Sequence, residues 1–412
     1  MNSEWHLYTL GDLTVNYDGK RKPVKEADRV KGTYPYYGAS GIVDHVDGYL
    51  FDGEYLLVAE DGENLRTRQT PIAFMAKGKF WVNNHAHIVT GNKLADTRFL
   101  MYALLYADVN SFLTGAVMPK LTQGNLNKIP IYCPPLETQL HIVDILGSLD
   151  DRIALLRETN TTLEAIAQAI FKSWFVDFDP VHAKAEGRQP EGIDAETAKL
   201  FPDSFIDTEL GPVPKGWQVK SLDTIADYLN GLALQKFPPQ ENDWLPVIKI
   251  AQLRKGDTIG ADRASRKLKS EYIIQNGDVL FSWSGSLEVE IWCGGEGALN
   301  QHLFKVTSKN YPKWFYYLWT KYHLAHFRQT AASKATTMGH IQRKHLTEAK
   351  VYVPPPEFVN KINSYFEVLL AQWINNSLYA QSLIALRDTL LPRLISGQLL
   401  IPKGIMPEES IK

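Results

Sequence analysis

The chain repeats itself, and this constrains its fold more than any other feature. IYCPPLE at 131–137 returns as VYVPPPE at 351–357, an offset of 220 residues. The same offset carries Leu126 onto Leu346, Ile142 onto Ile362, Leu149 onto Leu369, Leu163 onto Leu383 and Ile170 onto Leu390. Upstream the register slides. WVNNHAHIV at 81–89 matches ALNQHLFKV at 298–306 at an offset of 217, and GEYLL at 53–57 matches GDVLF at 277–281 at 224. Trp5, Leu7 and Leu10 match Trp217, Val219 and Leu222 at 212. Each match alone is weak; their shared order along the chain implies a duplication.

Each copy reads in two parts. The first holds short β-like runs, such as YLFDGEYLLVA and GDVLFSW, broken by Gly and Asn. A helix-like aromatic run, FLMYALLY or WFYYLWTKYHLAHF, follows each NNH or NQH block. The second part is one long helix opening at a Pro-Pro pair, where a missing N–H costs nothing.

The helices carry a heptad seam. Apolar residues fall at Leu149, Ile153, Leu156, Leu163, Ala167, Ile170 and Trp174, in alternating steps of three and four, with Asn160 at an a position. The second seam runs Phe366, Leu369, Trp373, Asn376, Ala380, Leu383, Arg387, Leu390 and Leu394, with Asn376 at a d position. A helix of this size is roughly 55–60 Å long at about 1.5 Å per residue, and one apolar stripe of that length needs a partner. Antiparallel packing sets a against d. Placing Asn160 across from Asn376 puts Leu156 by Ala380, Ile153 by Leu383 and Leu163 by Trp373, and lets the two buried amides satisfy each other and fix the register. The competing reading is two separate helices, each covering its own domain.

The expected fold is α+β: two similar domains of mixed helix and sheet, separated by two long antiparallel coiled-coil helices with pseudo-twofold symmetry. The divisions are 1–130 and 213–350 for the domains, 131–176 and 351–397 for the helices, 177–212 for a linker and 398–412 for a tail. Residues 177–209 hold nine acidic and three basic residues, a net of −6, and read as a partly irregular, solvated connector. Asp177 and Asp179 would otherwise suggest a carboxylate pair.

Overall charge excludes little, because the formal net is −2. Two clusters are nonetheless basic. Residues 20–31 hold six basic against two acidic side chains, and 249–269 hold seven against two. Such clusters fit either phosphate contact or solvated loops. Only two cysteines occur, with no CxxC pair, which argues against a zinc site or disulfide framework and fits a reducing cytosol. No signal-peptide pattern and no run of 18 apolar residues is present, so a cytoplasmic protein is expected. There is no GxxxxGK[ST], no GxGxxG after a strand, and no Asn/Asp-Pro-Pro-aromatic motif. His85 and His87 share a strand face and could hold a metal, but Phe304 stands at the second copy's matching position. No catalytic and no metal residues are assigned.

Several segments together resemble one family. PPLETQLHIVDILGSLDDRI, FKSWFVDFDPVHAKAEGR, the linker end ELGPVPKGW and a second PPPE helix ending LLPRLISGQL are similar to the DNA-specificity subunit of type I restriction-modification systems. The resemblance spans essentially the whole chain. It implies two target-recognition domains reading the halves of a bipartite, asymmetric site on double-stranded DNA. It also implies helices that set the gap and dock two modification subunits, which carry adenine methyltransferase chemistry, with restriction subunits joining them. The chain itself would then be non-catalytic and bind no cofactor, with S-adenosylmethionine, ATP and Mg on the partner subunits. One departure is that the first helix opens Glu137-Thr138-Gln139 and the second Glu357-Phe358-Val359, which sets equal docking at the two helix starts in question.

Side-chain chemistry then nominates DNA contacts in the loops beside the repeated blocks. In the first domain these are Lys20, Arg21, Lys22, Lys25, Arg66, Arg68, Asn83, Asn84, Lys120 and Gln123. In the second they are Arg254, Lys255, Arg266, Lys267, Trp283, Gln301, Lys334, Arg343 and Lys344. Asn83 and Gln301 are equally suited to a structural hydrogen bond at a strand end. The competing functional reading is a fused nuclease or adenine methyltransferase of a related defence system. A helical scaffold unrelated to DNA is a third.

Overall fold

The computed structural model describes residues 4–333 and 339–401. In the first copy the strands are β1 (His6–Thr9), β2 (Thr14–Asn16), β3 (Lys31–Gly38), β4 (Gly41–Val46), β5 (Phe51–Ala59), β6 (Ala73–Val82), β7 (Ala86–Gly91) and β8 (Pro130–Cys133). Its helices are α1 (Leu10–Leu13), α2 (Asn64–Thr67), α3 (Thr97–Tyr106), α4 (Gln123–Leu126) and the long α5 (Leu136–Phe175). The segment after it holds α6 (Asp179–Ala185), α7 (Ala195–Leu200), β9 (Phe205–Thr208) and β10 (Gly211–Pro214). In the second copy the strands are β11 (Gln218–Ser221), β12 (Asp227–Asn230), β13 (Trp244–Ile248), β14 (Arg263–Ser265), β15 (Ile273–Ile274), β16 (Val279–Ser282), β17 (Val289–Ile291), β18 (Gly297–Leu299), β19 (Leu303–Thr307) and β20 (Lys350–Val353). Its helices are α8 (Leu222–Ile225), α9 (Ile250–Lys255), α10 (Lys313–Ser333), α11 (Arg343–Glu348) and the long α12 (Pro356–Ile395).

The chain divides into two compact units. One runs to Ile153 and resumes at Leu383; the other is Ala154–Ser382. Each therefore holds one domain and a stretch of both long helices.

In the first unit six strands form one sheet in the order β2-β7-β5-β6-β3-β4. Alternation along β5 sends its residues to two cores. Leu56 and Val58 join Phe99, Leu100 and Leu146 on one face, whereas Leu57 packs with Phe80 and Ile88 on the other. Helix α3 starts where the Asp96 carboxylate caps the N–H groups of Arg98 and Phe99. In the second unit the strands split into two four-stranded sheets, β12-β19-β16-β17 and β14-β13-β18-β15. An aromatic core with Phe175, Trp314, Trp319 and Phe366 lies against the first of them.

Strand pairing shows the duplication residue by residue. β1 pairs with β8, His6 opposite Cys133, and β11 pairs with β20, Gln218 opposite Val353. These pairs repeat the sequence offsets of 212 and 220. The long helices match at both ends, forty residues each at an offset of 220. One expected offset is wrong by a residue. β5 pairs with β7 through Leu56 and Val89, and β16 with β19 through Val279 and Val306. With 217 kept for β7 and β19, β5 and β16 correspond at 223 rather than the 224 suggested by GEYLL and GDVLF.

The long helices run antiparallel within each unit. In the first, Arg387 donates to Asp150 at 2.7 Å, and Leu146 shares a core with Leu394. In the second, Asn376 donates to Asn160 at 3.0 Å, and Trp174 meets Phe366 further along. Asn160 also donates to the Trp373 carbonyl and to Ser377 Oγ, and Gln372 donates to Asn376 Oδ1. Leu163 and Trp373 line the same small cavity.

The segment 177–212 is not the solvated connector its charge suggested. It folds, and Phe178, Val181 and Phe201 enter the aromatic core of the second unit, together with Val213 just beyond the segment. Asp194 caps α7 and accepts a bond of 2.7 Å from the Tyr365 hydroxyl on α12. Those bonds hold its carboxyl well below the usual range. Asp177 is bonded to Lys172, not arranged as a carboxylate pair with Asp179. The net charge is spread over an outer face while a few apolar side chains set the fold.

Candidate nucleic-acid interface

Both domains gather their loops around the same backbone frame. In the first, Asp61 and Lys120 form an isolated bridge, Leu121 N–H donates to the Glu60 carbonyl, and Gly62 N–H donates to the Pro119 carbonyl. In the second, Ser284 and His340 form the bridge, Ile341 N–H donates to Trp283, and Gly285 N–H donates to Gly339. Offsets of 223 and 220 relate every one of these pairs. The turn before β7 and β19 is also repeated. Asn83 Oδ1 accepts from His85 N–H at 2.8 Å, and Asn300 Oδ1 accepts from His302 N–H at 3.1 Å.

Inside this common frame the chemistry has been exchanged. In the first domain the loops close on charges. His87, 1% exposed, sets Nδ1 2.5 Å from Asp18 and Nε2 2.7 Å from the Leu121 carbonyl. Arg21 pairs with Glu60 at 2.8 Å and with Asp18 at 3.4 Å, and donates to the Ala86 carbonyl. Lys120 reaches Glu60 at 3.2 Å. Burial works against ionisation of Asp18, but His87, the Ile88 N–H and Arg21 outweigh it and hold its carboxyl below the ordinary value. In the second domain the same positions are Asn230, Trp283 and Phe304. Trp283 Nε1 donates to Asn230 at 2.9 Å, its ring lies 6.0 Å from Phe304, and the Arg343 guanidinium sits 5.6 Å over Phe304. An ionic interior is answered by an aromatic one.

This geometry sorts the nominated residues. Arg21 and Asn83 are part of the frame in the first domain, and Trp283 plays that part in the second. Arg68 is also structural: it has φ 48°, and its guanidinium bonds the Leu105 and Ala107 carbonyls at the end of α3. Arg66 is exposed but bonded to Glu63 and the Gly115 carbonyl. Arg266 is held by Asp243 and Glu296, Arg254 lies 3.8 Å from Glu288, and Arg343 donates to the Tyr228 carbonyl. Lys20 is exposed beside the Tyr17 ring. Lys22, Lys25, Asn84, Gln123, Lys255, Lys267 and Lys344 are exposed, and their side chains have no partner among the described residues. Gln301 is half-buried, with its amide 3.4 Å from His302. Lys334 lies outside the described residues.

The first domain also displays an apolar loop tip. Val117 is 96% exposed and Met118 62%. Reciprocal Thr114 and Lys120 backbone bonds close the loop beneath them. Gly115 has φ +88°, and a Cβ there would meet the Met118 carbonyl at 2.1 Å. No periodicity marks such a tip in the sequence.

Gln139 has a role different from docking. It is fully buried, and its amide donates to the Leu94 and Pro134 carbonyls and accepts from Asp96 N–H. It staples the start of α5 to its own domain; Val359, also buried, fills the matching place with packing alone.

Among the described residues no group of three or more His, Cys, Asp or Glu could hold a metal ion. Of the two histidines that the sequence offered for a metal, His87 spends both ring nitrogens on Asp18 and Leu121, and His85 sets Nδ1 against Asp61. Both cysteines are buried, and burial pushes their thiols up to about 11. Among the described residues no helix is long and apolar enough to cross a membrane.

Comparison with known proteins adds the family. The type I restriction modification DNA specificity domain matches residues 2–165 and again 214–379, one match for each copy. A putative type I restriction enzyme specificity subunit from Haemophilus influenzae is 42% identical over 147 residues, 36% of this chain and 38% of that protein. The HindI type I specificity subunit of the same organism is 27% identical over 96% of this chain and all of its own length. The crystal structure of a type I restriction-modification S subunit from M. genitalium shares the fold, with a TM-score of 0.57 at 14% identity over 96% of this chain and 97% of the other.

Proposed function

We propose that this chain, which belongs to the type I restriction modification DNA specificity family, reads a double-stranded DNA site in two unlike halves, one with each loop cluster. Its role is that of a DNA specificity subunit. The observation that carries the bipartite reading is the repeated backbone frame with an exchanged interior. Two domains with the same frame offer DNA the same approach, and unlike side chains read unlike bases.

In this reading the exposed cations beside the clusters, Lys20, Lys22 and Lys25 in one domain and Lys255, Lys267 and Lys344 in the other, meet phosphates. The chain scaffolds two modification subunits and the restriction subunits along its helices. It is itself non-catalytic and works in the cytoplasm. S-adenosylmethionine, ATP and Mg belong to those subunits.

A gel shift of the chain assembled with its modification subunit, titrated with salt, tests the phosphate contacts. Affinity is expected to fall log-linearly with salt concentration; affinity indifferent to salt contradicts the reading. Binding of S-adenosylmethionine by the chain alone would favour a fused methyltransferase instead.

A further inference from the structure

We propose that His85 and His302 are matched specificity-determining residues, each presenting an imidazole edge to one half of the DNA site. The inference rests on the bipartite reading above and names the side chains that carry it out.

The two histidines occupy one position of the repeated frame. Each follows a buried asparagine, Asn83 or Asn300, whose side chain accepts from the histidine's own N–H and fixes the turn. The imidazoles are held by corresponding side chains too. His85 Nδ1 lies 2.8 and 3.0 Å from the Asp61 carboxylate oxygens, and His302 Nδ1 lies 2.9 Å from Ser284 Oγ. Asp61 and Ser284 correspond at the offset of 223 seen in the strands and bridges.

A carboxylate only accepts, so the proton of His85 sits on Nδ1 and its Nε2 is left toward solvent. That side chain is 53% exposed, and Nε2 has no partner among the described residues. Among the described residues, His302 Nε2 has one long contact, 3.4 Å to the half-buried Gln301 amide, which an approaching base edge can displace.

Packing does not account for keeping these residues. Beneath them, the duplicated positions have diverged from Asp18, Glu60 and His87 to Asn230, Trp283 and Phe304. The interior has changed from ions to rings, while the imidazole above it, and a polar group on its Nδ1, stand in both copies. A side chain that reaches solvent, fully for His85 and in part for His302, and whose orientation is fixed by a second polar group suits base-edge readout, because a pre-set donor or acceptor discriminates without an ordering cost. Each loop cluster also holds a cation, Lys120 across the bridge from Asp61 and Arg343 over the Phe304 ring. The side chains beside the histidines, Asn84 and Gln301, are amides able to share the contact.

The experiment sequences methylated sites genome-wide in a host carrying the parent system or a variant. The variants are His85→Ala, His302→Ala, Asp61→Ala, Ser284→Ala and His85→Gln. His85→Ala is expected to relax base preference in one half of the site by about tenfold and leave the other half strict, and His302→Ala to do the reverse. Asp61→Ala should blur the same half as His85→Ala, and Ser284→Ala the same half as His302→Ala. His85→Gln, which keeps a polar tip near Nε2, should retain part of the preference. Either histidine variant methylating the parental motif with parental strictness overturns the proposal, as do both variants blurring one half. Loss of all methylation by both His85→Ala and His85→Gln, with a lowered melting temperature, makes the residue structural and also overturns it. A parent without a two-part motif would instead overturn the bipartite reading.

Discussion

Single side chains in this protein hold loops and helix starts to their domain. Gln139 is the clearest case, since its buried amide makes two hydrogen bonds to the Leu94–Asp96 turn and a third to the Pro134 carbonyl just before α5. Leaving such buried groups unpaired costs about 1–3 kcal/mol each. Gln139→Ala should therefore lower the unfolding free energy by about 2 kcal/mol or more, read from the urea midpoint; a change under about 0.5 kcal/mol contradicts the staple. Asp18 ties the first loop cluster to His87 and Arg21. Its carboxyl is held below the ordinary 3.8, so its stabilisation is complete above that pH and is lost as pH falls through the lower folded-state value. Asp18→Asn should be less stable at neutral pH and should lose part of the acid-side slope of the stability profile; parallel profiles for variant and parent would count against this. Such roles were hidden in the sequence. Arg21, Arg68 and Trp283 look like contact residues by chemistry alone, and only long-range partners such as Glu60, Leu105 and Asn230 reveal what they do.

The long helices were legible as elements because a heptad seam is a local pattern. Asn160 and Asn376 interrupt it at positions that antiparallel pairing brings together, and they share a bond of 3.0 Å. Replacing one with Leu leaves the other amide buried without that partner, whereas replacing both restores an apolar seam. Either single Asn→Leu variant should cost about 1–3 kcal/mol, and the double variant should cost less than the sum, a coupling measured by a double-mutant cycle. Strict additivity would mean that the two amides act independently. The linker was the opposite case. Its nine acidic residues dominate the composition, but Phe178, Val181 and Phe201 decide where it goes. No periodicity links those three, so the pattern did not announce a folded segment.

At the scale of the whole molecule the duplication gave the domain count, the order of elements and the helix lengths. It could not give the exchange of interiors, because a one-residue error between 224 and 223 moves each β5 side chain onto the wrong counterpart. With the register corrected, the ionic cluster at Glu60 falls on the aromatic cluster at Trp283. On the proposed function, each domain reads its own half of the DNA site. Exchanging residues 1–130 for the corresponding domain of another family member and sequencing the methylated sites tests it directly. The predicted result is a site with one half changed and the other kept; a change in both halves, or in neither, contradicts it.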